Sequence, residues 1–265
     1  MPSKVKIPFN NLGRQFANYR EHFLKISEEV LSSGRVLQSE KVSQLEEKAA
    51  KICGRKYAVA VGSCTDALYF ALLSCGVKPG DEVLITSLSF VASLSPILRA
   101  GAKPIFVDIE PLYFMMNPQK IEEKITSKTK FIMAVHLFGQ CLDMDAIEKL
   151  AERYGLTIIE DSAQSLGSCF NGRSAGSLGK VSCLSFDPTK VVGAFSSAGI
   201  ALTDSEEIAE HMRRLRYHGK ETTGNSYAHL GFNSQISSEQ AAMLIFKLDF
   251  LAEWVKKRND TAEKY

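Results

Sequence analysis

Leu156-Thr157-Ile158-Ile159-Glu160-Asp161 is the stretch that decides the fold. It is a short apolar run that ends in two carboxylates and follows Gly155. Runs of this kind read as strands buried on both faces. Four more lie upstream, at residues 57–61 (Y-A-V-A-V), 82–86 (E-V-L-I-T), 104–108 (P-I-F-V-D) and 131–135 (F-I-M-A-V). Helical stretches separate them, near residues 65–75, 90–100, 118–125 and 143–154, with Gly76, Gly101 and Gly155 where helix C-caps are expected. Strands that alternate with helices imply right-handed crossovers. The fold class is therefore α/β, a mostly parallel sheet covered by helices on both faces. In such sheets ligands gather at the carboxyl ends of the strands.

Working outward, residues 42–52 form a charged amphipathic helix pattern with Glu46, Glu47, Lys48 and Lys51 on its polar face. Downstream, residues 181–186 and 199–203 read as two further strands, and residues 205–217 as a long helical run. The loop over 219–233 is rich in Gly, Thr, Asn and Ser. Residues 237–265 read as one long helix carrying Leu244, Leu248, Leu251 and Trp254. This divides the chain into an N-terminal segment (1–37), an α/β domain (38–236) and a terminal helix (237–265).

The 265 residues, 45% of them hydrophobic, are enough to bury a sizeable core. A net charge of +2 gives no field that would point to nucleic acid or an anionic membrane as partner. No apolar run approaches the roughly 20 residues that span a bilayer, and the N-terminus has no signal-peptide pattern. The six cysteines are scattered without a C-x-x-C pair. They read as reduced thiols of a cytoplasmic protein, with no metal site.

The residues that carry chemistry fall at predicted strand ends. Gly62-Ser63-Cys64-Thr65-Asp66 follows a strand and opens a helix. The unpaired N–H groups of a helix N-terminus suit a phosphate, although Ser63 reads equally as an ordinary N-cap. Phe90 lies just past another strand end, placed either to stack on a flat ring or to enter a helix as a hydrophobic residue. Asp161 closes a buried strand, where a carboxylate is costly unless paired, and Gln164 follows three residues later. Asp161 also reads as an N-cap for the next turn. Lys190 ends Ser185-Phe186-Asp187-Pro188-Thr189-Lys190, in a loop after a strand where solvated lysines are common. His136, at another strand end, reads as structural. A lysine, a carboxylate and an amide at strand ends are what pyridoxal phosphate chemistry needs: the lysine forms a Schiff base, and the carboxylate keeps the pyridine nitrogen protonated.

Seven motifs then occur in one order: G-S-C-T-D-A-L, K-P-G-D-E-V, G-A-K-P-I-F-V-D-I, V-H-L-F-G-Q, E-D-S-A-Q-S-L-G, S-F-D-P-T-K and G-F-N-S-Q-I-S-S-E-Q-A-A. Together they resemble the DegT/DnrJ/EryC1/StrS aminotransferases, from Ile7-Pro8-Phe9 to Tyr265. The resemblance implies a fold-type I, pyridoxal phosphate-dependent homodimer that uses glutamate as amino donor and a nucleotide-linked keto-sugar as acceptor. By position, Lys190 matches the Schiff-base lysine, Asp161 the pyridinium partner and Gln164 the neighbour of the ring hydroxyl. Thr65 and Asp66 match the phosphate-binding turn, Phe90 the ring-stacking aromatic and Ser185 a phosphate contact. Asn233 matches an asparagine that reaches the cofactor of the partner subunit. Lys190-Val191-Val192-Gly193-Ala194-Phe195 and Gly231-Phe232-Asn233-Ser234 look more like the branch that aminates C3 of a keto-deoxyhexose than the branch that aminates C4.

The chain departs from that pattern at Val191, at Ser196-Ser197-Ala198-Gly199 and at Gln235, where the family carries Asn, a glycine- and acid-rich turn, and Arg. Arg to Gln removes a fixed charge and a bidentate fork. Family members also continue into a small C-terminal domain, so the chain looks C-terminally short. The expectation is that apolar surface of its last helix is left exposed. These departures keep open a second reading, a non-catalytic or regulatory homologue that retains the fold. A third is another fold-type I enzyme such as a desulfurase, which needs a catalytic cysteine in a mobile loop; none of the six sits in an obvious one.

Overall fold

The computed structural model describes residues 8, 10–221, 226–227 and 230–265. Ile7 and Phe9 of the N-terminal motif, and residues 222–225 and 228–229 of the polar loop, lie outside the described residues. The run that opens the reading forms β5 (Thr157–Asp161), the middle strand of a seven-stranded sheet. The other strands are β1 (Tyr57–Val61), β2 (Glu82–Thr86), β3 (Lys103–Val107), β4 (Thr129–Val135), β8 (Val181–Ser185) and β9 (Gly199–Thr203). A separate hairpin pairs β6 (Cys169–Phe170) with β7 (Arg173–Ser174). The sheet order is β1-β9-β8-β5-β4-β2-β3. From β8 to β3 the strands are parallel, whereas β9 runs antiparallel to both β1 and β8.

Helices cover both faces, as the alternating pattern requires. They are α1 (Leu12–Asn18), α2 (Arg20–Ser33), α3 (Glu40–Cys53), α4 (Cys64–Ser74), α5 (Val91–Arg99), α6 (Met144–Tyr154), α7 (Glu206–Arg216), α8 (Ser238–Leu248) and α9 (Leu251–Ala262). Along β1, Val59 and Val61 join a core with α4, α5 and α7, while Ala58 and Ala60 join one with α3 and α8. A third core lies between α6 and Leu84, Ile132 and Ile158. Gly155 caps α6 in the left-handed region; Gly76 and Gly101 take positive φ one residue beyond the caps of α4 and α5.

Three sequence expectations change. Residues 118–125 hold two single 3-10 turns, Pro118–Lys120 and Glu122–Lys124, rather than a helix. The terminal segment is two helices. At the break, the Asp249 and Phe250 N–H groups donate three residues back, to Phe246 and Lys247. The Phe250 ring packs against Tyr19, Phe246 and Trp254. Lys48 donates to Ile245 O at 2.8 Å and to Asp249 at 2.6 Å, which satisfies the end of α8. Finally, the apolar face of this helix pair is not left exposed: Leu244, Leu248 and Leu251 are buried in the α3 core and Trp254 packs against it.

Residues 36–37 and 237–238 meet at the base of α8. Leu37 bridges Ser237, and Ser238 N donates to Val36 O at 2.9 Å. The segment before α3 and the start of α8 are thereby tied to each other.

Candidate active site

A cavity of about 300 Å³ opens where the strands β1, β2, β4, β5 and β8 end. Each supplies a residue at or just beyond its carboxyl end: Ser63, Phe90, His136, Asp161 and Ser185. β9 runs the other way, so its start faces the cavity, with Ser197 just before it. A Cβ at Gly199 would collide with the backbone of Ser63 and Cys64. That position must be glycine for β9 to lie against the N-terminus of α4.

The α4 N-terminus is built as a cap. Ser63 is extended, and its Oγ accepts from Asp66 N at 3.1 Å. Ser63, Cys64 and Thr65 line the cavity, while the Asp66 side chain turns away. Its carboxylate pairs with Arg99 at 3.0 Å and accepts from Ser234 Oγ at 2.8 Å. Arg99 in turn lies 4.1 Å from the Tyr69 ring centroid. The negative charge at this turn is thus directed away from the cavity, which keeps the helix end electropositive.

Asp161 is 4% exposed. Ser93 Oγ donates to its Oδ2 at 2.6 Å and Ala163 N to its Oδ1 at 3.0 Å. Burial pushes the carboxyl above its ordinary value, against those hydrogen bonds and the positive charge of Lys190. Ser89 Oγ is 2.7 Å from Ser93 Oγ. Ser93 spends its one proton on Asp161, so Ser89 donates to Ser93 and the chain runs from Ser89 to Ser93 to Asp161. Ser89, just before the Phe90 N-cap, and Ser93, in the first turn of α5, stand four residues apart. That spacing is the only signal the sequence carries for them.

Gln164 lies at the cavity wall with its Oε1 accepting from Phe138 N at 2.8 Å, which leaves its amide N–H groups for the cavity. Phe90 is 66% exposed at the mouth. Lys190 lies at the rim with Thr189 and Asp187. His136 is structural: its Nδ1 accepts from Leu142 N at 3.2 Å, so its proton sits on Nε2, 3.1 Å from Glu160 Oε1. Of the residues singled out from sequence, Thr65, Phe90, Asp161, Gln164, Ser185 and Lys190 line one cavity. Asp66 and Asn233 do not. Asn233 is exposed, its Oδ1 accepting from Gln235 Nε2 at 3.0 Å, and Gln38 donates to Gln235 in turn.

The arrangement offers a helix N-terminus ringed by hydroxyls, a desolvated carboxylate deep in the cavity, and an amine at its rim. Residues 18–265 match the model of the DegT/DnrJ/EryC1/StrS aminotransferase family. The chain belongs to this family. It is a pyridoxal phosphate-dependent sugar aminotransferase of fold type I. It is 39% identical over 262 residues to a pleiotropic regulatory protein of Geobacillus stearothermophilus, covering 98% of this chain and 70% of that one. It is 36% identical over 261 residues to the UDP-2-acetamido-2-deoxy-3-oxo-D-glucuronate aminotransferase of Pseudomonas aeruginosa, covering 98% and 72%. Among solved structures, S. venezuelae DesV in complex with a ketimine intermediate superposes with a TM-score of 0.95 at 36% identity, over 98% of this chain and 70% of that one. The donor set of the cavity fits the family's cofactor. The hydroxyl-ringed helix end would suit its phosphate, the buried carboxylate its ring nitrogen and the lysine its aldehyde. Among the described residues no cluster of His, Cys, Asp or Glu suits a metal ion, and no helix is long and apolar enough to cross a membrane.

Proposed function

We propose that the cavity transfers an amino group from glutamate to C3 of a nucleotide-linked keto-deoxyhexose, with Lys190 as the catalytic residue. The observation that carries this reading is the convergence of Asp161 and Lys190 on the cavity at the α4 N-terminus. Pyridoxal phosphate, when bound, supplies an electron sink for the bond that breaks at the amino-bearing carbon. Thr65, Ser185 and the α4 N–H groups would hold its phosphate, and Phe90 would stack on its ring. Asp161 would keep the ring nitrogen protonated, with Ser93 fixing the carboxylate. Gln164 would offer an amide N–H to the ring hydroxyl. Lys190 would hold the cofactor and would move a proton as general base and then acid.

C3 regiochemistry is supported by the relatives: several act on 3-oxo or 3-amino sugars, among them the P. aeruginosa aminotransferase and a dTDP-3-amino-3,6-dideoxy-alpha-D-galactopyranose transaminase of Aneurinibacillus thermoaerophilus. A homodimer accounts for Asn233, which sits outside its own cavity and is exposed for the cofactor of a partner subunit. In this reading residues 38–236 are the cofactor domain, residues 1–37 brace it, and residues 237–265 lead toward a small domain, in a cytoplasmic enzyme of amino-sugar biosynthesis.

The test is spectroscopic. Protein loaded with pyridoxal phosphate is expected to show a visible band that Lys190→Ala abolishes and that glutamate bleaches. No Lys190-dependent band overturns the proposal. A band that glutamate leaves unchanged favours the regulatory reading, for which the G. stearothermophilus relative is the precedent.

A further inference from the structure

Lys247 is a fully buried lysine on α8, outside the cavity. Its Nζ donates to Gly193 O at 2.7 Å and lies 3.8 Å from the Phe195 ring centroid and 5.3 Å from that of Phe23. Burial lowers its pKa, to about 8, and among the described residues no carboxylate offsets it. Burying an ammonium without an anion is costly, and two ring faces and one carbonyl recover only part of that. A methionine would fill the same space without the cost. The amine is therefore of use at this place for what it holds.

It holds the loop that carries Lys190. That loop closes on itself: Lys190 N donates to Asp187 O at 2.9 Å, and Ala194 N to Phe186 O at 2.8 Å. Its two legs touch at Gly193, where a Cβ would lie 2.5 Å from Pro188 O. A shift of Gly193 is therefore passed directly to residues 188–190. Gln240 precedes Lys247 by seven residues, two helical turns, and so lies on the same face of α8. Its Oε1 accepts from Phe195 N at 2.8 Å. One helix face thus grips the returning leg at two backbone groups, one acceptor and one donor, two residues apart.

We propose that Lys247 and Gln240 are positioning residues that fix the returning leg Gly193–Phe195 and thereby set where the Lys190 amine points. This rests on the reading of Lys190 given above, and the experiment keeps the two separable. Wild type, Lys247→Met and Gln240→Met are loaded with pyridoxal phosphate. For each, the melting temperature, the pH midpoint of the Lys190-dependent visible band and the rate of its bleaching by glutamate are measured. At least one variant is expected to stay folded, with the midpoint moved by about half a pH unit or more and bleaching slowed roughly tenfold to a hundredfold. Folded variants with the wild-type midpoint and rate overturn the proposal. So does failure of both to fold, which makes the contacts structural only. Should wild type show no Lys190-dependent band, the underlying reading fails instead. The clamp is then judged on cofactor-free protein, by the rate at which an amine-selective acylating reagent labels Lys190, followed by mass spectrometry; equal rates in all three proteins overturn it.

Discussion

Glu160 and Asp161 are neighbours on β5 that face opposite sides of the sheet, and burial ends differently for each. Glu160 is completely buried. Burial opposes its charge, yet the contact with His136, the Gly176 N–H and the Ser162 hydroxyl outweigh that and hold its pKa at about 2; the N–H groups of Leu178 and Gly179 and the Ser182 hydroxyl also donate to it. Asp161 has two donors, and burial prevails. One carboxylate anchors the loop over 176–179; the other faces the cavity with its charge poorly compensated.

Glu160→Gln should therefore destabilise the fold, since an amide turns N–H donors toward groups that already donate. The expected loss is roughly 3 kcal/mol or more, read from urea unfolding at neutral pH. Because the folded pKa is depressed, the Glu160 contribution is fully present above its ordinary value of 4.5 and disappears as pH falls through about 2. The gap between wild type and variant should narrow over that window.

Asp161→Asn is expected to do the reverse. An asparagine can accept from Ala163 N and donate to Ser93 Oγ, which then donates to Ser89. The cofactor-free variant should melt no lower than wild type. A carboxyl with a raised folded pKa stabilises most below its ordinary value of 3.8 and loses that contribution as pH rises through the folded pKa; the variant should lack this trend. The glutamate half-reaction should slow by about a hundredfold or more, measured by stopped-flow absorbance.

Ser93→Ala removes the shortest bond to Asp161 and leaves Ser89 without its acceptor. The Asp161 carboxyl should rise further, so the acid limb of the pH profile of the half-reaction should move to higher pH. Ser93→Thr keeps the hydroxyl and should restore the wild-type limb; an unmoved limb in Ser93→Ala would show that Asp161 does not control it.

Gly199→Ala forces β9 and the start of α4 apart. The expected result is about tenfold or more weaker pyridoxal phosphate binding, by fluorescence titration, with a stability loss of about 1–3 kcal/mol. Wild-type affinity in this variant would remove the α4 N-terminus from the phosphate site.

The sequence makes the sheet legible because its strands are short apolar runs bounded by turn residues, and all but the edge strand β3 are largely buried. The β6–β7 hairpin is not legible, since two-residue strands leave no periodicity. The break at Asp249-Phe250 is hidden for another reason: no Gly or Pro marks it, and an aromatic cluster with Tyr19, far away in the chain, decides it. At the site, Asp161 is legible because a carboxylate ending an apolar strand stands out, whereas Gln164 and Lys190, in the loops beyond β5 and β8, are marked only by the ordered motifs around them. Ser89 and Ser93 are not legible, as hydroxyls near helix starts are ordinary caps, and no pattern marks Ser197 just before β9. The direction of the Asp66 side chain also needed the fold, because Arg99 and Ser234, which hold it, come from distant segments.

The place of β9 between β1 and β8 also dictates an order of assembly. Among the described residues, the sheet partner of β1 is β9, pairing residues 57–61 with 199–203. As the chain leaves the ribosome, β2 to β5 can pair with one another first. β1 and the α4 helix end that follows it must wait as an unpaired edge until Thr203 has emerged. The α4 end of the cavity therefore closes after the strands that carry Asp161 and Ser185 have emerged, and nascent chains that stop short of β9 carry Lys190 without a finished place for the cofactor.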